Sequence, residues 1–208
     1  MPLFGNLSVP LTDRERRDWW RLSRTAGVGP ITFFRLIDRY GTAAQAMEAL
    51  PHLSKRGGRA TPLVAFDATR AEDEIAAITQ QNARLIAACE PAYPAMLRAI
   101  DDAPPVLVVK GNPDLWRDDK PMIGMVGARN ASLPGRKMAM NLARDLGARG
   151  YIVASGLARG IDTAAHEGAI ATGTIAVVAG GVDVVYPPEN QKLYDDIAAR
   201  GVVLSEHP

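Results

Sequence analysis

Residues 122–132 read MIGMVGARNAS, and residues 151–162 read YIVASGLARGID. In each, an apolar run ends in a loop of small residues that carries an arginine and leads towards a helix. The first loop is Gly127-Ala128-Arg129-Asn130-Ala131-Ser132, and the second is Ser155-Gly156-Leu157-Ala158-Arg159-Gly160. A parallel sheet sets such loops at the carboxyl ends of its strands, where α/β folds take up phosphate-bearing ligands. The pair is therefore expected to hold a phosphate backbone.

Outward from this tract the pattern alternates strand and helix. Strands are expected at 122–126, 151–154, 174–179 and 202–205, with helices near 134–149, 162–172 and 188–200. Met138, Leu142 and Leu146 recur every four residues and predict the buried stripe of the first of these helices. The strands are continuous apolar runs, as in a parallel sheet covered on both faces. A Rossmann-like, doubly wound α/β domain follows over 85–208, and its sequence reads as C-terminally incomplete at Pro208. Further strands are expected at 85–88 and 106–111, around a short proline-bounded helix at 90–100.

Residues 1–84 read as a separate small helical domain. Thr12-Asp13 caps a first helix, and others follow at 31–40, 43–50 and 69–77. The turn Gly27-Val28-Gly29-Pro30 has two readings. It has the form of a helix–hairpin–helix that offers backbone amides to a nucleic-acid phosphate, or it is a tight turn between packed helices. Residues 1–12 read as a tail, and Ser54 to Arg59 (SKRGGR) as a basic, glycine-rich loop.

The 208 residues carry a net charge of +1, with 47% hydrophobic and 23% charged residues, an ordinary globular composition. Neither half is a nucleic-acid binder by overall charge. Yet Arg129, Arg136, Lys137, Arg144, Arg149 and Arg159 face only Asp145 as an acid in their window. A solvated helix face accounts for Arg144 and Arg149. Cys89 is the only cysteine, so no internal disulfide forms, which suits a reducing compartment. No signal sequence or membrane-length apolar run is found, so a soluble cytoplasmic protein is expected.

The first loop lacks the second glycine of a dinucleotide fingerprint, and the second strand ends in Ser155-Gly156 rather than an acid. Neither NAD, FAD nor a P-loop nucleotide is expected, and no spacing suggests a metal or a catalytic set. Arg129 is the leading candidate, its guanidinium suited to bidentate phosphate contact, against a salt bridge to Asp162 or Glu167. Ser155, Gly156 and Gly160 offer small groups and amides, and Arg159 a second cation. Gly127, Ser132, Gly180, Gly181, Asn190 and Lys192 could reach the same rim, and Tyr186 could stack a base or be packed. Asp162 reads as a helix N-cap and His166 as a hydrogen-bonded helix histidine, each with ligand contact as the alternative.

Together these residues carry a family resemblance. Tyr93-Pro94-x-x-Leu97-x-x-Ile100, Pro104-Pro105-x-Leu107, Val126-Gly127-x-Arg129, the block from Ser155 to His166, and Gly181-x-Asp183-x-x-Tyr186-Pro187-x-x-Asn190 resemble the bacterial DNA-processing protein A (DprA, or Smf) family. The resemblance implies a binding protein rather than an enzyme. It would hold single-stranded DNA in a positively charged pocket, protect incoming DNA in natural transformation, and load the RecA recombinase. It also implies a homodimer and a sterile-alpha-motif-like N-terminal domain. On matching positions, Arg129 would contact phosphate, with Ser155, Gly156, Arg159 and Gly160 lining the pocket and Lys192 nearby. The alternative is a nucleoside-monophosphate phosphoribohydrolase, whose P-G-G-x-G-T-x-x-E block is not found in 1–208.

Overall fold

The computed structural model describes residues 10–56, 62–116 and 120–208. Residues 1–9 of the expected tail, and 57–59 of the basic loop, lie outside the described residues. The chain divides into two compact units, Met1–Ala77 with Leu85–Leu107, and Ile78–Arg84 with Val108–Pro208.

In the first unit, α1 (Asp13–Ser23) opens with a capping box: the Thr12 side chain accepts from the Glu15 amide, and the Glu15 carboxylate accepts from the Thr12 amide. Helices α2 (Pro30–Tyr40), α3 (Ala43–Arg56) and α4 (Ala68–Gln80) follow. Trp19 and Phe33 meet edge to face at 5.0 Å, and with Trp20, Leu22, Phe34 and Leu50 they form the buried centre. The Trp20 indole donates to Glu74 at 2.9 Å, which lets a large ring be buried with its N–H satisfied. At the glycine turn, Gly27 takes φ 84, Val28 is buried and Gly29 caps α2. Both readings of the turn share this geometry, two packed helices joined by a tight glycine turn with the second starting after Gly29.

Helix α3 was expected to end at Leu50 but continues through Pro51 to Arg56. A proline normally stops a helix because it lacks an N–H donor. Here Pro51 lies on the exposed side, and burial of Met47 and Leu50 holds the turn before it. The helix expected at 90–100 shrinks to α5 (Ala95–Arg98). The chain before it is set by buried Glu90, which accepts from the Ala87 amide at 2.8 Å and from Arg16 at 2.6 Å.

A six-stranded sheet runs in the order β1-β2-β6-β5-β4-β3, with β1 Ala83–Ala87, β2 Val106–Gly111, β3 Met122–Gly124, β4 Ile152–Ser155, β5 Thr174–Val177 and β6 Val202–Ser205. The last four are parallel, with Ile123 opposite Val153, Ala154 opposite Ile175, and Ala176 opposite Val203. The sheet is mixed rather than wholly parallel, because β2 pairs antiparallel to β6, Val108 opposite Ser205. Between the parallel strands run α6 (Leu133–Ala148), α7 (Ile161–Ala169) and α8 (Gln191–Arg200), the last preceded by a 3-10 turn, Pro188–Asn190. Strand order never reverses from β3 to β6, so right-handed crossovers set these three helices along one face. Accordingly, α7 packs against both α6 and α8.

The buried stripe of α6 is not the expected one. Met138 is 73% and Leu142 49% exposed, while Ala139, Ala143 and Gly147 are buried. The cause is how closely α7 approaches. A Cβ on Gly168 of α7 would lie 2.2 Å from the Met140 carbonyl, and one on Gly147 would lie 2.2 Å from Thr172 Oγ1. Only small residues fit between helices this near, and Ala164, Ala165 and Ala169 supply the facing surface.

Candidate functional site

The two arginine loops follow β3 and β4, which are adjacent, so topology alone brings them side by side. The Met125 amide extends the strand pairing by donating to the Ala154 carbonyl at 2.9 Å, and the chain then turns out through Gly127 to Arg129. Ser132 closes this loop by capping α6, its hydroxyl accepting from the Gly135 amide at 3.3 Å. In the second loop Ser155 is buried, and its hydroxyl donates to the Met125 carbonyl at 2.7 Å. Leu157 is held at φ 57 with its side chain fully buried, a backbone conformation that branched apolar residues rarely adopt.

Gly160 is the joint between the loops. It takes φ 85, and a Cβ there would lie 2.2 Å from the Ala128 carbonyl oxygen and 2.5 Å from that of Arg129. Beside it the Ile161 amide donates to the Ala128 carbonyl at 3.3 Å. The glycine thus serves a close approach of loop to loop. Other amides around the start of α7 are also engaged: Thr163 N–H donates to the Ala158 carbonyl at 3.1 Å, and Ala158 N–H donates to Asp162 Oδ2 at 3.4 Å. Charge at this site is therefore carried mainly by side chains rather than by a free row of helix amides.

A third loop closes the arrangement. Asn190, 6% exposed, donates from Nδ2 to the Leu157 carbonyl and to Thr163 Oγ1, both at 2.9 Å. It staples the turn after Pro187 onto the second loop. Above these bonds lies an open cleft of about 640 Å³ whose charged lining is Arg129, Arg136, Lys137 and Arg159, with Glu167 and Glu189. Arg159 Nε donates to Glu189 Oε1 at 2.5 Å, and the two are 58% and 53% exposed. No carboxylate pairs with Arg129 among the described residues, so neither salt bridge weighed for it, to Asp162 or to Glu167, is formed.

The expected site residues thus separate. Arg129, Arg159, Gly160 and Asn190 line the cleft. Gly127 and Ser132 lie in the loop that carries Arg129, and Ser155 and Gly156 lie in the loop that carries Arg159. Tyr186 is 67% exposed, so it is not packed. Gly181 is buried and Gly180 exposed, its carbonyl accepting from Ser205 Oγ at 2.6 Å. Lys192 is on α8, paired with Asp196 at 3.4 Å, and is not part of the cleft lining. Asp162 is not the cap of α7. The helix starts at Ile161 after Gly160, and the buried Asp162 carboxylate reaches back to the Ala158 amide.

His166 is an interior group with no exposed surface. Thr174 Oγ1 donates to the Val153 carbonyl at 2.6 Å, so its hydrogen is committed there, and His166 Nδ1 must carry a proton and donate to Thr174 Oγ1 at 2.9 Å. Its Nε2 has no hydrogen-bond partner among the described residues. Burial pushes the imidazole down to about 4, with the Ser155 backbone opposing the shift. Neutral His166 thus ties α7 to β4 and β5 beneath the arginine loops. Arg136 and Lys137 are cleft residues that motif reading passed over. Their signal was position: they fall in the first turns of the helix that the Arg129 loop leads into.

A family profile described as DNA recombination-mediator protein A matches residues 84–208, and one described as a DprA-like N-terminal HHH domain matches residues 13–77. Protein Smf of Synechocystis sp. is 31% identical over 215 aligned positions, covering 95% of this chain and 52% of the relative. DNA processing protein DprA of Bacillus subtilis is 39% identical over 136, covering 64% and 46%. The chain spans about half the length of these curated relatives. Among solved structures, DprA from Streptococcus pneumoniae superposes with a TM-score of 0.72 at 28% identity, over 95% of this chain and 68% of that one. DprA from Helicobacter pylori, in a structure described as giving insights into its single-stranded DNA binding mode, gives a TM-score of 0.51 at 31% identity, over 55% and 52%.

Proposed function

The chain belongs to the DNA recombination-mediator protein A family, and we propose that it binds single-stranded DNA without regard to sequence, through the cleft between the arginine loops. The observation that carries this reading is the meeting of Arg129 and Arg159 with Arg136 and Lys137 over one opening, on loops locked together by Gly160 and Asn190. Guanidinium groups match phosphate oxygens in pairs, and four cations spread along an open cleft suit a chain of phosphates better than a single one. Exposed Tyr186 gives a face on which one base can stack. Ser155, Gly156, Asp162 and His166 support the loops from below in this reading, and Lys192 lies outside the core contacts. The binding domain is taken as 85–208, with 1–84 as the helical domain.

The same reading makes the protein a DNA-handling factor of natural transformation that passes the strand to a RecA-type recombinase and works as a homodimer. Its role is binding rather than catalysis. That part is checked by incubation with AMP, where release of free adenine would move the assignment to a hydrolase.

Anisotropy of a fluorescent oligo-dT, titrated at several salt concentrations, tests the binding. If the four cations each meet a phosphate, log K falls against log salt with a slope of about −3, at roughly −0.7 per contact on a single strand. A flat salt dependence, or preference for an equal-length duplex, would reject the cleft as a single-strand site.

A further inference from the structure

We infer that Glu189 is a built-in competitor for the DNA phosphate at Arg159 and sets the affinity of the cleft; this rests on the single-strand reading above. Glu189 Oε1 sits 2.5 Å from Arg159 Nε, inside the lining of the cleft where a phosphate would have to lie. The carboxylate does not arrive there by chance of side-chain flexibility alone. Its backbone is the middle of the one-turn 3-10 helix Pro188–Asn190, and the next residue, Asn190, is bonded to Leu157 and Thr163 on the loop and helix that flank Arg159. Acid and guanidinium are therefore held on one stapled unit.

Only Nε of Arg159 is taken, while its Nη pair has no protein partner among the described residues. An incoming phosphate could use that edge, but it would do so beside a fixed negative charge, or it would have to displace that charge. Both side chains are more than half exposed. Exposed pairs of this kind are weak, so the carboxylate can be displaced without disturbing the fold. Each partner stabilises the other's charged form: the bond to Arg159 lowers the Glu189 carboxyl from its ordinary range, and the bond to Glu189 raises Arg159. The competitor is thus ionised wherever the site operates. With Glu189 and Glu167 present, the four cations of the cleft face two acids. Neutralising Glu189 removes one of them at the point of contact.

The rival role for Glu189 is to orient the guanidinium for DNA, in which case its loss weakens binding. Glu189→Gln separates the two, because the amide oxygen still accepts from Nε while the charge is gone. Full-length protein as wild type, Glu189→Gln, Glu189→Ala, Arg159→Ala, Glu189→Gln/Arg159→Ala and Arg129→Ala is titrated into a fluorescent oligo-dT of fixed length at low salt. Glu189→Gln and Glu189→Ala are expected to bind on the order of 5-fold tighter than wild type, a gain of the size that exposed charge interactions supply. That gain should vanish in the Arg159→Ala background, since it acts through that arginine. Unchanged or weaker binding by Glu189→Gln, with Arg129→Ala weakened, overturns the competitor role and leaves the single-strand site standing. A gain that persists without Arg159 also overturns it. If Arg129→Ala and Arg159→Ala both bind like wild type, the single-strand reading itself falls and this inference with it.

Discussion

His166 and Gly160 show how differently two residues of one motif can act. His166 holds its neutral form because burial brings it down to about 4 from an ordinary value of 6.5. On acidification the unfolded chain takes up the proton first, so stability is full above about pH 6.5 and is lost as pH falls towards 4. At ~1.4 kcal/mol per pH unit, the loss is on the order of 3 kcal/mol. Urea midpoints measured across that window should fall for the wild type and much less for His166→Asn, which keeps an N–H for Thr174 but does not titrate. Parallel slopes in the two proteins would contradict the assignment. Gly160→Ala is expected to lose on the order of 3 kcal/mol in urea unfolding, because the left-handed backbone and two carbonyl oxygens leave no room for a Cβ. A neutral substitution would mean the loops are not joined there. The loop positions of Arg129 and Arg159 were legible in the sequence, since each lies in a short run of mostly small residues between an apolar strand and a helix. His166 was read as a hydrogen-bonded helix histidine, and it is one, whereas the interior roles of Asp162 and Asn190 were not legible. A polar residue at the start of a helix has the same spacing whether it faces a ligand or a backbone group of the neighbouring loop.

At the scale of elements, alternating strand and helix were readable, whereas the face each helix buries was less so. Met138, Leu142 and Leu146 repeat every four residues, and so do Ala139, Ala143 and Gly147. Periodicity is equal for the two sets, and hydrophobicity favours the first, of which only Leu146 packs against the core. The choice is made by α7, whose own alanines and Gly168 bring the helix backbones close. Two substitutions separate the stripes. Met138→Gln should leave the unfolding free energy from urea titration within about 0.5 kcal/mol of wild type, as at exposed sites generally. Ala143→Leu should cost about 1–3 kcal/mol by overpacking. The reverse order would restore the larger residues as the buried stripe. The antiparallel β2 was likewise hidden, because an apolar run such as Val106–Val109 carries no mark of its direction. The extension of α3 through Pro51 was hidden for a related reason: packing of Met47 and Leu50 overrides a local stop signal.

For the whole molecule, a formal charge of +1 gives no hint of a polyanion partner. The charge that matters is local, and it is assembled by topology: adjacent parallel strands bring Arg129 and Arg159 to one end of the sheet, and the start of α6 adds Arg136 and Lys137. Among the described residues no helix is long and apolar enough to cross a membrane, and no group of His, Cys, Asp and Glu is arranged to hold a metal ion. Binding of single-stranded DNA in this cleft is probed most cleanly at Arg129, with which no carboxylate pairs among the described residues. The deciding measurement is the dissociation constant of wild type and Arg129→Ala for one oligo-dT at one low salt concentration, with unfolding curves showing both proteins equally stable. Arg129→Ala is expected to weaken binding by about 1–3 kcal/mol; equal affinities would place the DNA elsewhere.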